Sequence, residues 1–374
     1  MLTSIAIAPE EHRARCDVLL ARAGERDLAG VVLFDPTYVL YYTGFAFVPT
    51  ERPIACILGA DGTRALVVPR LEVEHAEARS ALDRVEYYLE YPGDPRAEEV
   101  LRTTLADLGL TGRIGADQDG YPWILGYRGP ALSELAGAEV VRVVEEIEAQ
   151  MAIKSDAEIT LIRESVRWSN LAHRLLQRYT RVGATETEVS QRASDEATFA
   201  MLDAVGEIYS AQSAFSSGAH AGYRGQIGRN SAIPHALAGN LAFQAGDVLV
   251  TGASAPVWGY LSELERTMFL GEPSPEQEQM FGHMLELQDP RSQRSVLAQR
   301  ARMSTKRCAR TTTSTTSGRT GAITRDTPSA CATTKAHSST PATTRRSGRG
   351  WSLRSSRAST HPSWVGTATP IPCS

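Results

Sequence analysis

Lysine is nearly missing from most of this 374-residue chain: before residue 290 only Lys154 interrupts a basic set made otherwise of arginine and histidine. Over residues 1–289, 24 Lys and Arg stand against 42 Asp and Glu, a net charge of −18. Such an acidic excess fits a GC-rich genome and a surface kept soluble by carboxylates. Long apolar runs are missing too, since none approaches the ~20 residues of a membrane span. The opening MLTSIAIAPEEHRAR has no charged segment followed by a long apolar core, so the expectation is a soluble cytoplasmic protein. Cysteines are few (Cys16, Cys56, Cys308, Cys331 and Cys373), and no two have metal-ligand spacing, which points to a reducing compartment. No repeat of solenoid length is present. Gly218, Gly222, Gly225 and Gly228 read as a glycine-rich loop, because no strand-turn-helix pattern makes them a dinucleotide fingerprint.

The last 85 residues lack other things. They contain no Phe, no Tyr and a single acid, Asp326, beside 15 Lys and Arg and 32 Ser and Thr. Their net charge is +14, so the total of −4 is a cancellation between unlike parts. A stretch this poor in apolar surface cannot offset the entropy of ordering, and residues 290–374 are expected to form a disordered basic tail.

What is present has clear order. A helix over roughly 9–26 precedes the apolar run Val31–Phe34, and ACILGADGTRALVV (55–68) holds two strand-like runs around Asp61-Gly62, a hairpin signal. The pattern predicts an α/β domain over 1–148. A second domain, over 149–289, opens near Lys154. There Ser155 and Glu158 form a capping box, and Ile159, Ile162, Val166, Leu175, Leu176 and Tyr179 keep roughly helical spacing until Gly183. Thr185 with Glu188 repeats the device for a helix that ends near Val205. Strand-like stretches follow at Asp247–Ser254 and Arg266–Leu270. Ser274-Pro275-Glu276-Gln277 then caps a helix through Met280, Phe281, Met284, Leu285 and Leu287, whose apolar pattern stops at Pro290.

Three stretches carry chemistry: YYTGFAFVPTERP (41–53), GRNSAIPHA (228–236) and GDVLVTGASAPVWGYLSELERTMFLG (246–271). In this order, with a capped helix pair between the first two, the chain from about residue 10 to 289 resembles the family of aminopeptidase P, prolidase and creatinase, the pita-bread hydrolases. The resemblance implies a creatinase/prolidase-like α/β N-terminal domain followed by an α+β pita-bread catalytic domain, here incomplete. It also implies a homodimer with the active site near its interface, and a small peptide or small amidine-like substrate. In the family's peptidases two divalent metals (Mn, Co or Zn), held by two Asp, a His and two Glu, activate a water for attack on an Xaa-Pro bond. Hard carboxylates with one imidazole suit Mn or a similar ion.

The resemblance assigns residues one by one. Where the peptidases have a strand reading D-x-G-A, this chain reads V-T-G-A, and Thr251 is taken to stand in place of the first Asp. Their GYxSDxTRT-like segment is matched by GYLSELERT, so Glu263 keeps a carboxylate and is the remaining metal-ligand candidate. From Thr251 to Glu263 the spacing is one residue longer than in the peptidases. That extra residue and the LERT ending resemble creatinase, a metal-free relative that hydrolyses a C–N bond with a histidine as acid/base. His235 matches the active-site histidine of both branches, and Glu265 the creatinase glutamate that holds the guanidinium-like end of its substrate. Arg52 matches the arginine that reaches the neighbouring subunit's substrate carboxylate, with Thr50 replacing an aromatic residue there. The expected site is therefore His235 and Glu265 as catalytic residues and Arg52 for substrate, with no cofactor in this chain. Plainer readings stand beside these: a loop histidine after proline, an ordinary surface arginine, and a solvated cluster of Glu263, Glu265 and Arg266 whose two glutamates share a strand face. His220 and His283 are read as structural.

Beyond Pro290 the family pattern calls for a segment like HxxGHxxGxxxHE and then VEPG, and neither is present. A one-base slip of the reading frame near residue 290 accounts for this. Each observed residue would then fix the last two bases of the codon it replaced, and ITRDTPSACATTKAHS (323–338) is compatible position by position with HHTGHAIGLRYHEGPF. Likewise WSLRSSRAST (351–360) fits MVFTVEPGLY, and TTTSTT (311–316) fits YYDEHD. Pro370, at the place of the last Glu ligand, fits no Glu codon. On this reading the chain is a family hydrolase that has lost motifs required for turnover, and losing members of one catalytic unit abolishes activity together. The competing reading is a non-catalytic binding protein whose basic tail contacts nucleic acid or an acidic partner. It ranks second, because the tail's charges are scattered without aromatic interleaving and the frame slip explains its composition.

Overall fold

Proline at the first helical position presets φ and gives up an N–H that would have no helical partner, and so α1 runs Pro9–Gly24 with Glu10 and Glu11 at its positive end. The structure, a computed structural model, describes residues 6–288 apart from 92 and 215. The expectations made for 290–374, a displaced frame and a disordered tail, lie outside the described residues. After α1 come β1 (Gly30–Leu33) and α2 (Pro36–Thr43), the latter capped by Asp35 accepting from Thr37 N at 2.8 Å and closed by Gly44 at φ 78°. β2 (Ala55–Gly59) and β3 (Arg64–Pro69) make the expected hairpin, with Asp61 accepting from Thr63 N at 2.9 Å and Gly62 at φ 89°. The first part closes with α3 (Val73–Arg79), β4 (Arg84–Tyr88), α4 (Ala97–Asp107), β5 (Arg113–Ala116), α5 (Leu132–Ala136), β6 (Glu139–Arg142) and α6 (Val144–Met151).

Its six strands pair in the order β4-β3-β2-β1-β5-β6, antiparallel across β1/β2 and β2/β3 and parallel elsewhere. Period two sorts the side chains: Leu33, Cys56, Leu66 and Val68 join the helices α1 and α2 in one core, while Val32, Ile57, Ala65 and Val67 join α4 in another. Strands buried on both faces read as continuous apolar runs, as VVLF does. The domain edge drawn at 148 and 149 falls inside α6, whose Val144, Ile147 and Met151 sit in the first of these cores.

The second part begins with α7 (Asp156–Tyr179). Its capping box is complete, with Ser155 Oγ accepting from Glu158 N at 3.1 Å and Glu158 Oε2 accepting from Ser155 N at 2.9 Å. α8 (Glu186–Val205) starts at Thr185, whose Oγ accepts from Glu188 N at 3.3 Å. β7 (His220–Gly222), β8 (Val248–Ser254) and β9 (Leu264–Phe269) form an antiparallel sheet in chain order, and α9 (Pro275–Gln288) follows. Trp168, Ala172 and Leu176 of α7 and Ala193, Ala197 and Met201 of α8 pack on Ala221, Leu249 and Ala253. That covers one face of the sheet. On the other, Val248, Val250, Gly252 and Ser254 are only half-buried, alternating with buried Leu249, Thr251 and Ala253.

Candidate active site

The face of the three-stranded sheet that the described helices leave open is where chemistry collects. The pairing Gly222↔Gly252 and Gly252↔Glu265 places these residues on that face, and His220, paired with Ser254, joins them. Beyond Gly222 the chain bulges. Ile227 bridges Leu249 and Gln226 O accepts from Val250 N at 3.0 Å, so residues 223–226 stand opposite only 250 and 251. Arg224 at φ 53° and Gly225 at φ 72° make the bulge, and bulges re-aim side chains. Here it turns Arg224 onto the open face, where Nη2 donates to Glu265 Oε1 at 2.6 Å. His220 is held below its ordinary pKa by burial first and by the charge of Arg224 second.

Buried polar groups hold these pieces in register. Glu186, 2% exposed at the start of α8, accepts from Gly225 N at 2.7 Å, Gly239 N at 2.6 Å and Leu241 N at 3.4 Å. It ties the bulge to the chain that follows His235, in a helix N-terminus that favours a carboxylate. Gln226 Nε2 donates to the carbonyls of Ile233 and Pro234, both at 3.2 Å, so the turn carrying His235 lies against the bulge. Glycine is required at 225, because a Cβ there would meet Leu237 O at 2.1 Å. The GYLSELERT segment is anchored from α7: Ser165 Oγ donates to Ala255 O at 2.6 Å and accepts from Ser262 N at 2.7 Å, and Ser262 Oγ donates to Ser169 Oγ at 2.9 Å. Tyr260 OH donates to Glu158 Oε1 at 2.9 Å, and Glu158 lies 3.5 Å from Arg15 of α1. The N-terminal domain thereby takes part in fixing this segment.

Of the residues singled out from the sequence, Glu265 lies on the open face and His235 occupies an exposed turn whose backbone is held next to the bulge. Glu263 immediately precedes β9, so of the two glutamates only Glu265 lies within the strand. Glu265 pairs across the sheet end with Arg224, and the neighbouring Arg266 is not its partner in that ion pair. Arg52 lies in the loop after α2 with Nη1 3.4 Å from Glu51 Oε1. Thr251 requires a correction. It is fully buried on the helix side of β8, where its hydroxyl donates to Arg266 O at 3.2 Å and accepts from His173 Nε2 at 2.8 Å. The residue that faces the site at this level is Gly252. Taking Gly252 as the counterpart also removes the extra residue in the spacing to Glu263, because it lies one position closer. Arg224, His220 and Gly252 escaped the sequence reading. The pairing of GYR with the far end of β8 was not visible in spacing, although a doubled glycine pattern around Arg224 marked the bulge.

The described residues do not fit a two-metal centre. Among the described residues no group of three or more His, Cys, Asp or Glu converges to hold a metal ion. The β8 position facing Glu265 has no side chain, and a guanidinium lies against it. Cys16 and Cys56 are buried and unbridged, and among the described residues no helix is long and apolar enough to cross a membrane.

Comparison with known proteins bears on both parts of the chain. Residues 15–153 match the creatinase/prolidase N-terminal domain, and residues 160–304 match metallopeptidase family M24. The uncharacterized peptidase YqhT of Bacillus subtilis is 22% identical over 266 residues, which cover 69% of this chain and 65% of the relative. A Staphylococcus aureus peptidase, SAB1567, is 23% identical over 253 residues. The chain thus spans 65% and 64% of the length of these curated relatives. Among solved structures, dipeptidase PepE from Mycobacterium ulcerans superimposes with a TM-score of 0.60 at 21% identity, covering 76% of this chain and 71% of the other. The prolidase from Pyrococcus horikoshii gives 0.58 at 21% identity, with 74% and 71% covered.

Proposed function

Because the chain belongs to metallopeptidase family M24, with a creatinase/prolidase N-terminal domain ahead of an α+β pita-bread domain, we propose a hydrolase of Xaa-Pro peptidase or creatinase type that cleaves a C–N bond in a small peptide or amidine-like substrate. The observation that carries the proposal is the convergence on one open sheet face of Glu265, Arg224 and the bulge that holds the His235 turn. In this reading His235 is the acid/base, Glu265 binds the cationic end of the substrate, and Glu263 is the remaining metal-ligand candidate. Arg52 serves the site of a second copy, in a cytoplasmic homodimer. The scaffold as written is inactive, because the frame slip near residue 290 removes the remaining histidines and the VEPG glutamate.

The test is to sequence the genomic DNA across the codons for residues 280–300 and to express the chain in the frame that restores the motif. Hydrolysis of an Xaa-Pro dipeptide or of a creatine-like amidine by the restored chain, lost with His235→Ala, is the expected result. The chain as written should be inert on both. Turnover by the chain as written would remove the claim of inactivity, and a restored chain inert on both substrate classes would remove the hydrolase reading.

A further inference from the structure

Resting on that reading, we infer that Arg224 supplies the positive charge of this site and keeps divalent metals out of it. A non-glycine residue in the left-handed region is uncommon, and Arg224 is held there at φ 53° by Gly225 and by the buried Glu186 behind it. This conformation aims the guanidinium across the sheet at Gly252. A Cβ built on Gly252 would meet Arg224 Nη2 at 3.3 Å and Cζ at 3.4 Å, so the guanidinium rests in the space that a carboxylate side chain from β8 would need. The same Nη2 donates to Glu265 Oε1 at 2.6 Å, so one oxygen of the carboxylate on the adjacent strand is already engaged by a cation. A metal ligand set built on these two strands therefore lacks a ligand at Gly252, and a guanidinium that also holds one oxygen of Glu265 lies in the space that ligand would need. Arginine stays charged at every working pH, and a divalent ion brought into this space would meet like charge. Glycine at 252 and arginine at 224 thus work as a pair: the first makes room for the second.

The experiment uses the full chain and Mn²⁺ alone as the probe, by isothermal titration and by loss of the free Mn²⁺ electron-spin-resonance signal. The wild-type chain should show no binding tighter than about 1 mM, and the double variant Gly252→Asp/Arg224→Ala should bind at least ~10-fold more tightly. Arg224→Met, which keeps the aliphatic stem and removes the charge without adding a side chain to β8, should shift binding in the same direction by a smaller factor. Circular dichroism and thermal melting verify that each variant is folded. Micromolar Mn²⁺ binding by the wild type that disappears with Glu263→Gln or Glu265→Gln overturns the inference, as do folded variants as inert as the wild type. The first of these results would leave the hydrolase reading standing and remove only the role of Arg224. Failure of the hydrolase reading shows instead in the restored chain's lack of turnover, whatever the Mn²⁺ titration gives.

Discussion

His12 and His173 are buried as neutral rings, and this makes the fold sensitive to acid. His12, 4% exposed, donates from Nδ1 to Tyr41 O at 3.0 Å; burial pushes its pKa from 6.5 to about 4, with the backbone acceptor and Glu11 opposing and Arg15 reinforcing the shift. His173 donates from Nε2 to Thr251, and burial, with Arg266 nearby, lowers its pKa to about 3. Both folded-state values lie below the unfolded one, so the unfolded chain binds more protons as pH falls through 6.5. Stability is therefore full above that pH and is lost between 6.5 and about 4 for His12, at a cost of roughly 3 kcal/mol. Urea unfolding across this pH range should show the decline, and His12→Asn, which keeps a donor for the Tyr41 carbonyl without a titrating ring, should flatten it. Single residues were also the hardest scale to read. V-T-G-A names a motif, but which of its residues faces the site depends on strand parity, and parity follows from the pairing of β8 with β9 and from the helices on one side. A slip of one position exchanges a buried threonine for a glycine that faces solvent.

Among the elements, the bulge after β7 depends most on one distant side chain. Glu186 reaches partners 39, 53 and 55 residues away, the amides of Gly225, Gly239 and Leu241. Replacing it by alanine strands three buried or half-buried N–H groups and should cost about 3 kcal/mol or more. Glu186→Gln keeps an acceptor and should cost less. Glu188→Ala, two positions on, should stay within ~0.5 kcal/mol, because Glu188 receives the cap through its backbone N–H and its side chain is half-exposed. Hydrogen exchange over residues 223–241 should quicken in Glu186→Ala and not in Glu188→Ala; equal behaviour would remove the positioning role. The contrast also explains which elements could be read from the sequence. α7, α8, α9 and the β2/β3 hairpin announce themselves through caps and turns within four residues, and their observed starts agree with Ser155, Thr185, Ser274 and Asp61-Gly62. β9 begins at Leu264, two residues before the apolar pattern suggested, because its start is set by pairing with Ala253 on β8. The bulge has only its glycines as a local signal, and its position depends on pairing with distant β8.

At the scale of the whole molecule, the two parts are joined through buried charge. Arg15 of α1, 5% exposed, donates to Tyr41 O at 3.0 Å, stacks over the Tyr41 ring at 4.0 Å and lies 3.5 Å from Glu158, itself 1% exposed at the start of α7. Glu11 shares Arg15 and accepts from Ser155 Oγ at 2.7 Å, and Tyr260 closes the cluster on Glu158. The sequence showed Ser155 and Glu158 as a local cap. That the same glutamate receives an arginine from 143 positions earlier and a tyrosine from the GYLSELERT segment was invisible, because a capping pattern does not reveal a second partner. Breaking a buried pair by removing one member is costly, since the other charge is left without compensation. Arg15→Ala should therefore lower stability by about 3 kcal/mol or more, while Arg13→Ala, on the exposed side of the same helix, should be nearly neutral. The loss should not be confined to α1. Because Glu158 holds Tyr260, whose segment leads into Glu263 and Glu265, faster hydrogen exchange should extend to residues 255–265 in the second domain. If exchange quickens only within residues 9–45, the cluster merely stabilises the first domain. If it spreads to 255–265, the N-terminal domain is part of what holds the open face of the sheet in shape.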